Sequence, residues 1–199
     1  PSRPNYGGMR SIAVWGDKVY FAGNDAVLHA LDAKTGKLVW STPLSDVPGH
    51  NNTSGVLAVH GKIITGLTGC GTIPAKDHCY ISAYDAQTGK QVWKFVTVAL
   101  TGQPNGDSWG GLPDDKRAGA ETWIQGSYDP VLNLTYWGTA QAKPWRRDLR
   151  GSGDGATNYA NSTVALDADT GKLKWFYNHA PGESLDLDEV FERILIDHG

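Results

Sequence analysis

An eleven-residue pattern, A-x-D-A-x-T-G-K-x-x-W, occurs three times without gaps, at residues 30–40, 83–93 and 165–175. Near-identical repeats of this kind dictate a fold built from like modules, each too small to bury its apolar face alone. The chemistry of the pattern is that of a hairpin. The Asp carboxylate can accept backbone N–H groups across a turn, Gly supplies the positive φ that other residues resist, and the returning strand carries Lys outward and Trp inward. Ahead of each copy stands a further strand candidate, at 18–22, 62–66 and 135–138, preceded by turn formers at Gly16-Asp17, at Gly61 and between Asp129 and Asn133. The unit is therefore several short antiparallel strands closed by a Trp, an all-β arrangement. The 25 glycines among 199 residues argue against a helical bundle, because each interior helical Gly costs about 1 kcal/mol relative to Ala.

Counted from Asp32 to Asp85 to Asp167, the repeats are 53 and 82 residues apart. Both intervals exceed the roughly 40 to 50 residues of a four-stranded propeller blade, so insertions are expected at 101–118 and 141–160. Insertions of this sort project from one face, often the face that binds. A Trp at the same place in every unit can pack between neighbouring sheets, which favours radial repetition over a sandwich or barrel. The expectation is a propeller fragment of three to four blades with tryptophan docking motifs. Its first residue, Pro1, its single Met at position 9 and its uncapped last residue, Gly199, read as a domain over 1–199 that is incomplete at both ends.

With 18 Lys and Arg against 21 Asp and Glu, the net charge is −3, and no basic footprint for nucleic acid exists. Arg146, Arg147 and Arg150 read as a solvated loop. No apolar run reaches the roughly 18 to 20 residues that cross a bilayer, and residues 1–10 lack the apolar stretch of a signal peptide; whether the protein associates with a membrane is left open. Cys70 and Cys79 flank a segment rich in turn formers. They read as a disulfide in an oxidising compartment, with free thiols or a zinc site shared with His78 as the other readings.

The docking hairpin resembles the tryptophan docking motif of pyrroloquinoline quinone (PQQ) dependent dehydrogenases of the methanol, ethanol and glucose dehydrogenase group. Further resemblance lies in G-A-E-T-W at 119–123, S-Y-D-P-V-L-N-L-T-Y-W-G-T at 127–139, Q-A-K-P-W at 141–145 and P-G-E-S-L-D-L-D at 181–188. The resemblance implies an eight-bladed propeller, of which this chain would be about the first half, whose funnel holds PQQ with calcium or a lanthanide. It implies that Trp123 is the indole on which the quinone stacks, where the residue by itself could be one more blade Trp. It places Arg10 on a cofactor carboxylate, a task that suits a bidentate donor, although an Arg near a chain end is ordinarily a surface residue. Thr53, Thr68, Gly69, Cys70 and Glu121 complete the implied cofactor set.

By the same resemblance Asp186 is the general base, and Asp188 is the second acid beside a metal. Carboxylates at i and i+2 would point the same way from an extended strand; read without the resemblance, the pair could equally be an acidic surface turn. Gln141 is the third implied metal ligand, standing where the family usually has Asn. Gly71 stands where the family usually has a ligand Glu, which leaves the metal's identity and the substrate class open. The implied activity is oxidation of an alcohol or sugar hydroxyl, with electrons passed to cytochrome c or a quinone in the periplasm. The other reading is a non-catalytic propeller scaffold for protein–protein interaction, with a sugar-binding propeller behind it.

Overall fold

In the computed structural model, which describes residues 8–197, the three Asp-Thr-Gly turns are closely alike. Asp32 Oδ1 accepts from the Thr35 amide and hydroxyl, both at 2.7 Å. Asp85 does so from Thr88, both at 2.8 Å, and Asp167 from Thr170 at 3.0 and 2.8 Å. Gly36, Gly89 and Gly171 follow with φ of 69°, 71° and 68°. Each turn thus satisfies its own backbone, and the hairpin is specified locally.

Around these turns the chain forms three four-stranded antiparallel sheets. The first is β1 (Ala13–Trp15), β2 (Lys18–Ala22), β3 (Val27–Asp32) and β4 (Leu38–Pro43). The second is β5 (Val56–Val59), β6 (Lys62–Thr65), β7 (Tyr80–Asp85) and β8 (Gln91–Val96). A short β9 (Ala118–Gly119) precedes the third sheet, which opens with β10 (Ser127–Asp129) and β11 (Leu134–Gly138). Then β12 (Ala142–Lys143) leaves the sheet to pair with β9, and β13 (Ser162–Asp167) and β14 (Leu173–Asn178) complete it. In every sheet the repeat's first Ala lies opposite its Trp, as Ala30 opposite Trp40, Ala83 opposite Trp93 and Ala165 opposite Trp175. A bulge follows that Ala each time.

The sheets are joined by those tryptophans. Trp40 Nε1 donates to the Ala86 carbonyl at 3.2 Å, and Trp93 Nε1 to the Ala168 carbonyl at 3.1 Å. Both acceptors lie in the turn of the following repeat. The turn glycine of that repeat lies flat on the same indole: a Cβ at Gly89 would be 2.7 Å from Trp40 Cε3, and one at Gly171 would be 2.5 Å from Trp93 Cε3. Trp175 is 46% exposed and leans on Tyr136. Two cores fill the gaps between sheets. Tyr20, Leu28, Ile63 and Tyr84 belong to the core between the first and second, and Ile64, Ile81, Trp137 and Val164 to the core between the second and third.

Two sequence expectations change. The insertions do not stand as separate loops; they pack on each other, with the Thr157 amide on the Ser108 carbonyl. Trp109, fully buried, donates its indole N–H to the Asn158 carbonyl, and Arg117 is buried with its guanidinium on the carbonyls of Leu112, Ala99 and Gly106. Nor is Arg150 a solvated residue. It is buried and donates to the carbonyls of Ala142, Pro144, Trp145 and Glu183, because five fixed N–H donors can satisfy a cluster of loop carbonyls that no strand reaches. Arg146 and Arg147 hold Asp148 and the Gly182 carbonyl, respectively. Cys70 and Cys79 form a disulfide with their Cα atoms 5.4 Å apart, while His78 contacts the Asp114 carbonyl. Among the described residues no helix is long and apolar enough to cross a membrane.

A Cβ at Gly36 meets nothing within 4 Å, whereas Gly171 carries the Trp93 ring. Gly36→Ala should therefore cost only the left-handed conformation, about 1 to 2 kcal/mol. Gly171→Ala should cost about 1 to 3 kcal/mol more through overpacking. Urea midpoints of the two variants check the difference, and equal losses would mean that the indole contact contributes nothing.

Candidate functional site

Antiparallel order puts the starts of β1, β5 and β10 at the same rim as the ends of β4, β8 and β14, and the docking turns at the other rim. Arg10, Thr53, residues 68–70, residues 121–123, Gln141 and residues 186–188 all fall in segments leaving or entering the first rim. Topology alone therefore gathers side chains that are far apart in sequence.

On one side of this rim, Arg10 donates through Nη1 to the Thr53 carbonyl at 2.8 Å, and its guanidinium carbon sits 5.0 Å from the centroid of the Trp123 ring. A cation over an indole face is held by the ring quadrupole. Trp123 is half-buried, and Phe191 meets it edge-on at 6.4 Å. The loop that carries Trp123 is seated by close backbone approaches, since a Cβ at Gly66 would collide with Thr122 and one at Gly126 with the Trp137 ring. Thr68 pairs with Asn51 through both backbone bonds and its hydroxyl. Gly69 has φ 83°, which its contact with the 49–51 segment requires.

Glu121 ties this side to the next strand pair. It is buried, and its Oε1 accepts from the amides of Gly69 at 2.9 Å and Cys70 at 3.1 Å. Its Oε2 forms an ion pair with Lys143 Nζ. The amides of Gly69 and Cys70 are thus committed to Glu121.

The acidic residues gather on Gln141. Its backbone N–H donates to Asp188 Oδ1 at 3.3 Å, and its side-chain Nε2 donates to Asp186 Oδ1. Its Oε1 is buried without a partner. The extended geometry expected for the 186–188 pair is absent: Asp186 has φ 63°, and the carboxylates meet because the chain folds around Gln141. This segment is held down by Asn161, whose amide donates to the Leu187 carbonyl, and by Arg193, which donates to the Glu189 carbonyl at 2.7 Å. Burial pushes the Asp188 carboxyl up, the Gln141 amide opposes that, and Asp186 adds to it. Among the described residues no three His, Cys, Asp or Glu side chains form a metal-holding group. Lys143, Phe191 and Asn161 went unassigned in the sequence; the one signal for Lys143 was an ionisable residue inside the otherwise apolar run Ala142 to Trp145.

Residues 45–198 match the family model described as the glucose/ethanol/alcohol dehydrogenase β-propeller domain that takes the name PQQ. The chain is 40% identical over 191 residues to the quinohemoprotein alcohol dehydrogenase ADH IIB of Pseudomonas putida, covering 89% of this chain and 27% of that protein. It is 32% identical to a lanthanide-dependent methanol dehydrogenase of Methylorubrum extorquens, covering 87% of this chain and 31% of that one. The crystal structure of the quinohemoprotein alcohol dehydrogenase from Comamonas testosteroni superposes with a TM-score of 0.83 at 32% identity, covering 92% of this chain and 29% of that chain. The chain spans between a quarter and a third of the length of these relatives.

Glu121 gives a direct test of how the rim is held. Glu121→Ala should cost about 1 to 3 kcal/mol for each of the two amides left without an acceptor, because Gly69 and Cys70 lose theirs together. Glu121→Gln, which keeps an oxygen for Gly69 and Cys70, should cost less than half of that. Denaturant titration of both variants measures the gap.

Proposed function

Because the chain belongs to the PQQ-dependent glucose, ethanol and alcohol dehydrogenase β-propeller family, we propose that it forms the cofactor-holding part of an enzyme that oxidises the hydroxyl of an alcohol or sugar. The observation that carries the reading is that a half-buried indole under a guanidinium and an amide bonded to two carboxylates lie at one rim of the sheets. The residues suit a flat anionic quinone. Trp123 offers a π surface, Arg10 a charged donor with N–H groups beyond the one spent on Thr53, and Thr53 and Thr68 flank them.

The acidic side suits a hard cation. The unpartnered Oε1 of Gln141 and the carboxylates of Asp186 and Asp188 are oxygen donors of the type that calcium accepts and a lanthanide would accept equally. PQQ, when bound, would supply an electrophilic quinone carbon able to accept hydride. Asp186 is exposed to incoming substrate and oriented by Gln141 Nε2, so its carboxylate takes the hydroxyl proton as general base. Asp188 is set deeper and holds the Gln141 backbone in place. Cytochrome c or a quinone would receive the electrons. A periplasmic setting agrees with the Cys70–Cys79 disulfide.

In the full-length protein loaded with PQQ and calcium, Asp186→Asn should lower kcat for alcohols about 10²- to 10⁴-fold, the usual worth of a positioned base. PQQ binding should be retained. Dye-linked turnover and a PQQ titration on the same preparation check both halves, and unimpaired turnover would falsify the base assignment.

A further inference from the structure

Lys143 has no task in that reading, yet it reaches both Glu121 and Gly71 at the rim. Its stem lies directly over Gly71: a Cβ there would stand 2.7 Å from Lys143 Cδ and 3.5 Å from Nζ. A side chain at 71 would push the flexible lysine stem aside, so the present seat of Lys143 depends on residue 71 being Gly. The ammonium is aimed by Glu121, whose buried carboxylate is itself fixed by the Gly69 and Cys70 amides. Both carboxylate oxygens of Glu121 are spoken for, so Glu121 orients the lysine and is not a spare metal ligand.

An ammonium has three N–H donors, and among the described residues Lys143 spends one, on Glu121. Its side chain is 30% exposed while that of Glu121 is 9% exposed, so the remaining donors face accessible space. Lys143 also acts electrostatically on Asp188, which places it within the field of the acidic side. Among the described residues, a hard cation there finds two carboxylates and one amide oxygen. The position from which residue 71 could have supplied another ligand carries a tethered positive charge.

We propose that Lys143 is an anion-binding residue of the cofactor pocket, its ammonium held over Gly71 by Glu121 so as to grip an anionic oxygen of the quinone. This rests on the PQQ reading above. The consequence is that the site keeps a fixed cation when the metal is removed, and cofactor binding leans less on the metal than a site of carboxylates alone would allow. Lysine suits the task as a compact point charge on a flexible stem.

The experiment is a PQQ titration of the full-length protein, read by quenching of tryptophan fluorescence, once with calcium and once with EDTA. Wild type should lose no more than about tenfold in affinity when the metal is chelated. Lys143→Met should bind about 10- to 100-fold more weakly than wild type in EDTA, the span of one charge-assisted hydrogen bond, and Lys143→Arg should recover part of that loss. A Met variant that matches wild type in EDTA overturns the assignment. Loss of all wild-type binding on chelation overturns it too, and needs no variant to fold. Wild type that binds PQQ in neither condition overturns the functional reading, and Lys143's role with it.

Discussion

Everything in this chain hangs on one contact made twice, an indole laid on a glycine. Trp40 and Trp93 each stack on the turn glycine of the next repeat and donate their N–H to the carbonyl of an alanine in the same turn. The contact joins hydrophobic burial to a directed hydrogen bond, so it fixes both the spacing and the rotation of adjacent sheets. A repeated sheet has no reason of its own to stand at one angle to its neighbour. The indole supplies that reason, and because each turn is closed by its own Asp and Thr, the docking surface exists before the neighbour arrives.

The candidate site inherits its precision from this arrangement. Its side chains lie at the rim away from the docking turns, on segments that cross between sheets and are seated by glycines where backbones nearly touch. Polar groups then lock the segments from within. Glu121 joins the loop after β6 to β12, Gln141 joins β12 to the acidic segment, and Arg150 gathers the carbonyls of the loop that follows. A rim built this way can hold charges in fixed positions without a regular strand beneath each one, which is what chemistry on a bound cofactor requires.

The turns, the strands ahead of them and the role of Trp were legible in the sequence because they depend on residues within a few positions of one another. The partner of each Trp was not, since the glycine that provides φ in one repeat also receives the indole of the previous one, and a single copy of the pattern shows only the first task. Arg150 misled because an arginine among Gly and Ser looks solvated until the carbonyls around it are seen. Asp186 and Asp188 stand as a pair in the sequence, but not in the expected geometry: a left-handed residue at Asp186 breaks the alternation, and Gln141, just ahead of β12, brings them together. Lys143 left only a faint trace, an ionisable residue in an otherwise apolar run. Its seat is the room that the missing side chain of Gly71 leaves, and a sequence does not display space.

The mutual packing of the two insertions restricts how this chain can drift. Trp109 from one sits under the Asn158 carbonyl of the other, and Gly110 and Gly155 are pressed against opposing backbone. Shortening either segment would leave the Asn158 carbonyl without the Trp109 indole and the Ser108 carbonyl without the Thr157 amide. Loop lengths that look like free variables between repeats are in fact one variable, and the pair must change together or stay as it is.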